Sequence, residues 1–342
     1  MQLMGYSAAI LGASGYAGGE LIRILDDHPF FEVAYLGAHT RADSRLGEVH
    51  SHLGQPDRML GPVDPELLSD CEVAFLALPH GASWETAHLL AEQGVAVFDL
   101  GSDYRMDTPD RYRAAYGNDH PLPDHLESWI YGLPELFGDA LSGARRVAVP
   151  GCYPTSALLG LAPLLAAGLV EGPIVVDSMS GVTGAGRGLK EDLLFGAIDE
   201  SVRAYGIASH RHRPEIEMGL ETASGRQQRV QFTPHLVPMQ RGILSTCSAT
   251  LTVEGETDRI LRETFQETPF VDVIDLPPQT RWVVNSNRAL IHAVEDHATG
   301  RVIVTVAIDN LGKGAAGQAV QCANLSLGLP ETAGLATVGW LP

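Results

Sequence analysis

Short apolar runs at residues 7–11, 33–37, 72–79, 95–100 and 146–150 alternate with polar stretches of helical spacing, clearest at 20–25 and 83–93. Short, continuous apolar runs read as strands buried on both faces, and their alternation with helices predicts a parallel sheet. The first half is therefore predicted to be α/β, a Rossmann-type doubly wound parallel sheet with right-handed crossovers. Beyond residue 150 the pattern changes. Residues 174–178, 230–232, 245–253 and 301–309 are strand-like, and the last alternates through Val302, Val304 and Val306. Loops rather than regular helices lie between them, which predicts an α+β domain built on a mixed or antiparallel sheet. Residues 314–327 read as a closing helix, and the proline- and glycine-containing stretch 107–134 as a long surface connection. The expected division is a first domain over 1–150, completed by a C-terminal helix at about 313–342, and a second domain over 151–312.

A chain of 342 residues, 45% hydrophobic and 19% charged, has the composition of a folded two-domain protein. Its formal charge of −19, with no basic run, excludes ready binding to nucleic acid or anionic membrane. That field also repels small anions, so any anionic ligand must meet a local cluster of cations. Only two lysines occur, Lys190 and Lys313, and arginine must supply most of the cluster. The four cysteines, Cys71, Cys152, Cys247 and Cys322, lie far apart and match no secreted framework. The longest apolar run, 155–170, is interrupted by Ser156, Gly160, Pro163 and Gly168, and the first residues lack a basic leader. A cytoplasmic protein that neither spans nor binds a membrane is expected.

The first apolar run stops at Gly12-x-x-Gly15-x-x-Gly18, and a helix follows. Glycines there allow a tight turn and close approach of the backbone to a pyrophosphate, which the helix N-terminus attracts. Glycines also make ordinary turns; the strand before and helix after favour a dinucleotide. Glu32 lies at the start of the second strand rather than at its end, where a ribose diol would need it. Thr40 and Arg41 follow that strand, and a hydroxyl beside a guanidinium suits a 2′-phosphate, so NADP is expected rather than NAD.

Cys152 stands in a Pro-Gly-Cys turn between a strand ending at Pro150 and a helix expected to start around Pro154. A thiolate is stabilised beside a helix N-terminus, and Thr155 with nearby N–H groups would help hold an oxyanion. The other three cysteines sit in or beside apolar elements and read as inert. His210 and His212 form the one histidine cluster with cations and carboxylates around it. Spacing alone does not separate them as acid–base groups. A metal site is disfavoured, because Pro214 disrupts ligand spacing and no cysteine is near in sequence.

The motifs GASGYAGGEL (12–21), FLALPHG (75–81), YGLPEL (131–136), VPGCYPTSALL (149–159), SGVTGAGR (180–187), HRHRPEI (210–216), FTPHLVPMQRGIL (232–244) and DNLGKGAAGQAVQ (309–321) run the length of the chain. Together, in this order, they resemble the N-acetyl-γ-glutamyl-phosphate reductases, within the aspartate-semialdehyde dehydrogenase superfamily. The resemblance implies an enzyme that reduces an acyl phosphate to an aldehyde with NADPH, in a domain 1–150 that binds cofactor and a catalytic and dimerisation domain 151–312. It implies Cys152 as nucleophile and His210 as acid–base residue. It implies cofactor contacts from Gly12, Ser14, Gly15, Tyr16, Gly18, Thr40, Arg41, Pro79, Ser180, Gly181, Gly184, Gly186 and Asn310. Arg105, Arg187, Arg211, Arg241 and Lys313 become the cations expected to hold a small anionic substrate, with no metal, and the protein a homo-oligomer, dimer or tetramer. Gly101-Ser102 stands where the family more often has Ser-Ala. Two related chemistries remain beside this one: a carrier-linked aminoadipyl-phosphate reductase, and a non-phosphorylating aldehyde dehydrogenase. A binding protein that holds NADP without turnover is a third reading.

Overall fold

The structure, a computed structural model, describes residues 5–340. The described chain divides into two compact units: one holds residues 5–109, Asp119–Pro150 and Ala315–Leu335; the other holds Asp110–Asn118, Gly151–Gly314 and residues 336–340. Elements are numbered along the chain.

Unit 1 is built on a parallel sheet of β1 (Tyr6–Leu11), β2 (Phe31–Gly37), β3 (Val73–Leu76), β4 (Ala96–Asp99), β5 (Ile130–Tyr131) and β6 (Arg146–Ala148), in the order β2-β1-β3-β4-β6-β5. The helices α1 (Tyr16–Leu25), α2 (Leu46–Val49), α3 (Trp84–Glu92), α5 (Pro134–Phe137) and α10 (Gly317–Ser326) belong to it. β3 and β4 are buried at every position, which is why they read as unbroken apolar runs rather than alternating ones. The expected Rossmann-like parallel sheet is present.

Unit 2 holds a seven-stranded mixed sheet, β11-β12-β13-β10-β7-β9-β8. Its strands are β7 (Val170–Ser180), β8 (Arg203–Ala204), β9 (Val230–Leu236), β10 (Ile243–Leu251), β11 (Val271–Val273), β12 (Ala289–Asp296) and β13 (Arg301–Ile308). β7, β10, β13 and β12 pair antiparallel, while β9 runs parallel to β7. Its helices are α4 (Pro109–Tyr116), α6 (Cys152–Ala166), α7 (Phe195–Ile198), α8 (His212–Ser224) and α9 (Thr257–Phe265). α6 is buried on all sides and lies against the alternating valines of β13: a Cβ on Gly160 would come within 2.9 Å of Val306 and 3.2 Å of Val304. α8 and α9 intervene between strands, so the expectation of loops alone is corrected there.

Two further expectations need correction. The stretch 107–134 is not a plain connection, since it contains α4, a 3₁₀ turn (Pro123–Ser128) and β5, which adds to the sheet beside β6. Its aromatic residues order it: Trp129 stacks on Tyr104 at 4.2 Å between ring centroids, both buried. The C-terminal helix does not extend to 342; α10 ends at Ser326, and Gly328 at φ +68 with Pro330 beyond stops it. Its first turn is π-wound over Gly312–Ala316. Among the described residues no helix is long and apolar enough to cross a membrane.

Candidate active site

In unit 1 the winding reverses between β1 and β3, which leave β1's other edge to β2. In an open parallel sheet that crevice at the strands' C-terminal ends is where ligands bind. Gly12, at φ +90, lies so close to the Ala77 carbonyl that a Cβ would collide with it, and a Cβ on Gly18 would strike the Gly12 carbonyl. Those two glycines draw turn, helix and β3 segment together. Gly15 caps α1 with an extended backbone and no side-chain cap, so the helix presents its first N–H groups unscreened. Ser14 lies within this turn and Tyr16 opens the helix, 39% exposed.

Thr40 and Arg41 follow β2 and are exposed, Pro79 follows β3 and is exposed, and Arg105 follows β4. These predicted residues thus share one edge of the sheet with the glycine turn. The uncapped turn and the guanidinium after β2 fit a dinucleotide with a 2′-phosphate. Arg105 is nine-tenths buried and donates to the Leu100 carbonyl at 2.8 Å. Sequence reasoning missed His50, whose Nε2 lies 2.9 Å from the Ala13 carbonyl and whose ring occupies the space a Cβ on Gly19 would need.

The loop after β4 is built around buried carboxylates. Asp103 accepts from the N–H groups of Gly81, Ser83 and Trp84, and its Oδ1 lies 2.8 Å from His80 Nδ1. Burial by itself would raise Asp103; the bonds from His80, Gly81 and Ser83 outweigh it and hold the carboxyl at about 2. Asp99 is fully buried and is pushed up to about 7 by that burial and by the Asp103 charge. Gly101 is required by this packing, because a Cβ would lie 2.5 Å from Ser83 Oγ and 2.7 Å from Asp99 Oδ1.

In unit 2, Cys152 is the first residue of α6, with Gly151 as N-cap, and is partly exposed. The helix therefore starts earlier than the expected Pro154, since Gly151 already has the extended backbone of a cap (φ −66, ψ 154). Buried Glu215 of α8 accepts the Gly151 N–H at 2.8 Å and pins this turn. Thr155 does not present its hydroxyl as an oxyanion donor: it donates to the Gly151 carbonyl at 3.0 Å and is fully buried. Gly314 packs directly on the nucleophile turn, since a Cβ there would come 2.8 Å from Cys152 Cβ.

A cavity of about 390 Å³ opens beside Cys152, and Ser180, Gly181, Gly184, His210 and Arg211 line it. Tyr153, Tyr205, Lys190 and Arg203, which the sequence did not single out, line it as well. The hydroxyls of Tyr153 and Tyr205 lie 2.8 Å apart. Burial raises both phenols, Tyr205 to about 12. Burial, and then the Arg211 charge, pull His210 down to about 4. Arg203 pairs with Asp192 at 2.7 Å, while Lys190 and Arg211 have no carboxylate partner among the described residues. Asp192 is itself in the cavity wall and offsets Arg203, so Lys190 and Arg211 give the wall a net positive charge in a molecule of charge −19.

Gly186, Arg187, Arg241, Asn310 and Lys313 are in unit 2 but do not line this cavity. Arg241 is paired with buried Asp309 at 2.8 Å. Asn310 accepts from the Gly242 N–H and donates to Thr183, and Lys313 is fully buried. The remaining cysteines are buried, and burial pushes Cys247 up to about 12.

Comparison with known proteins places these features. Residues 7–144 match the family profile of the semialdehyde dehydrogenase NAD binding domain, and 152–310 that of the semialdehyde dehydrogenase dimerisation domain. The N-acetyl-gamma-glutamyl-phosphate reductase of Pseudarthrobacter chlorophenolicus is 48% identical, over 99% of this chain and 100% of that one. The reductase of the same name from Dehalococcoides mccartyi is 45% identical over 98% and 99%. Among solved structures, aspartate semialdehyde dehydrogenase II of Vibrio cholerae shares the fold with a TM-score of 0.72 at 18% identity, over 95% of this chain and 98% of that one. The chain therefore belongs to the N-acetyl-γ-glutamyl-phosphate reductase family of the semialdehyde dehydrogenases.

Proposed function

We propose that the chain uses NADPH to reduce N-acetyl-γ-glutamyl phosphate to N-acetylglutamate 5-semialdehyde and phosphate, through a thioester on Cys152, as a step of arginine biosynthesis in a reducing cytoplasm. The observation that carries this reading is Cys152 at the N-terminus of α6, facing a cavity it shares with His210 and with cations. The positive end of the helix stabilises the attacking thiolate. The substrate brings a phosphoryl group and a carboxylate, and Lys190 and Arg211 are the cations in place to meet them, beside an Arg203 held by Asp192. Arg187, Arg241 and Lys313, in the same unit, do not line the cavity, and supporting roles in positioning suit them; Arg105, in unit 1, stays a substrate cation by family resemblance alone.

NADPH, when bound, supplies the hydride that reduces the thioester. The residues suited to hold it are Gly12, Ser14, Gly15, Tyr16 and Gly18 at the pyrophosphate, Thr40 and Arg41 at the 2′-phosphate, and Pro79. Ser180, Gly181, Gly184, Gly186 and Asn310 are assigned to the cofactor by family resemblance. Unit 1 is then the cofactor domain and unit 2 the catalytic one. Unit 2 is also the surface for a second copy of the chain: α6 covers one face of its sheet, while the other presents half-exposed Met179, Val294 and Ile303.

The deciding experiment is the reverse reaction, NADPH formation from N-acetylglutamate semialdehyde and NADP, with and without inorganic phosphate, in wild type and Cys152→Ser. Turnover is expected to require both phosphate and Cys152. Turnover without phosphate would instead make the protein a hydrolytic dehydrogenase.

A further inference from the structure

One hydrogen bond on the His210 ring fixes where its proton sits. The backbone N–H of His212 donates to His210 Nδ1 at 3.1 Å. Because that N–H has a hydrogen to give, Nδ1 must offer a lone pair, and the proton of the neutral ring lies on Nε2. The ring is held edge-on among Tyr153 at 5.8 Å, Tyr205 at 5.5 Å and Phe232 at 5.3 Å between centroids. The titratable and charged groups around it are Cys152 and Tyr153 from α6, Tyr205 and Arg211 from its own loop, His212 from α8, and Lys190, Asp192 and Arg203 elsewhere in the cavity wall. The nearby carboxylates are already engaged, Asp192 by Arg203 and Glu215 by the Gly151 N–H.

We propose that His210 works as a neutral imidazole whose Nε2–H hydrogen-bonds the oxyanion on the Cys152-bound carbon, and that it keeps this proton throughout the reaction. The proposal rests on the thioester reading above. Burial and Arg211 favour the uncharged ring at pH 7, in agreement.

The chemistry balances without an acid. The Cys152 thiolate forms a C–S bond to the acyl carbon, and the carbonyl electron pair moves to oxygen. Collapse of that oxyanion breaks the C–O bond to phosphate, which leaves with the pair and takes a proton from water. NADPH, when bound, would supply the hydride that turns the thioester carbonyl into a second oxyanion, that of the thiohemiacetal on Cys152. Its collapse breaks the C–S bond, releases the aldehyde and restores the thiolate. Each oxyanion returns to a carbonyl without being protonated. An imidazole that surrendered Nε2–H would be left as an imidazolate, a stronger base than the oxyanion it had served. A donor that strengthens its bond as negative charge develops lowers both barriers instead.

Nitrogen NMR of the ligand-free protein reads the tautomer directly. A single Nε2–H ring is expected from about pH 5.5 to 8, the range in which an ordinary histidine titrates. An Nδ1–H ring, or an imidazolium at pH 7, overturns the proposal. Iodoacetamide labelling of Cys152 against pH supplies a second readout. Its midpoint is expected to be the same in His210→Gln as in wild type, and a rise of about one unit would make His210 the thiol's base or ion partner. The Gln side chain places an N–H near the Nε2 position and Asn does not. His210→Asn should therefore lose roughly 10²–10³ in kcat, the cost of an oxyanion donor, and His210→Gln roughly tenfold less. Equal losses in the two variants count against the donor role. If Cys152→Ser retains turnover while NMR shows the Nε2–H ring, the thioester reading has failed and the oxyanion role falls with it, but the tautomer stands.

Discussion

Ser83 Oγ lies 2.9 Å from a carboxylate oxygen of Asp99 and 2.9 Å from one of Asp103, yet a hydroxyl has a single hydrogen to give. Both contacts are hydrogen bonds only if one carboxyl is protonated. Asp103 receives several N–H donors and is held at about 2, so the proton belongs to fully buried Asp99, raised to about 7. Asp99→Asn then resembles the acid form. An acid raised on folding contributes stability that is fully present below its unfolded value of 3.8 and is lost as pH climbs through its folded value near 7. Urea denaturation should show the Asn variant gaining on wild type across that window and holding a constant difference above it. A pH-independent difference would place the proton elsewhere. At this scale the sequence is partly legible. Cys152 stands out because it alone among the cysteines sits at a strand–helix turn, and the structure puts it at the start of α6. His210 and His212 are indistinguishable by spacing, since what separates them is the ring's tertiary surroundings. Tyr205 and Glu215 reach the site through long-range packing that no local pattern encodes.

Elements were legible where burial is uniform or strictly alternating. β1, β3 and β4 are short runs buried along most of their length, and β13 shows its valines at every second position. β5, β8 and β11 are two or three residues long, too short for any period to emerge. β12, read as ALIHAVED, is buried at its first three residues and then opens, which blurs its alternation. Ile303 on β13 lies directly opposite Val294 on β12, both on the face away from α6. A second copy covering that face predicts that Ile303→Glu dissociates the assembly, as sedimentation velocity would show by a fall to monomer mass. A wild-type protein that already sediments as a monomer refutes the assembly outright.

Over the whole molecule the carboxylates prevail by 42 to 23 over lysine and arginine, while the cavity beside Cys152 is walled by Lys190, Arg203 and Arg211. The opposing signs act over different ranges. Repulsion of an approaching anion is summed over the entire surface and is felt at long distance, whereas attraction by the cavity cations operates at contact. Mobile ions damp the first far more than the second, because the Debye length shrinks from about 30 Å at 0.01 M to about 8 Å at 0.15 M. Stopped-flow association of NADPH or the acyl phosphate should therefore quicken as potassium chloride is added over that range, the reverse of ordinary electrostatic steering. Slowing with salt would mean that the local cations project their field beyond the mouth of the cavity. An enzyme arranged this way admits its polyanionic substrates best at cellular ionic strength, and dilute buffer is the condition that starves it.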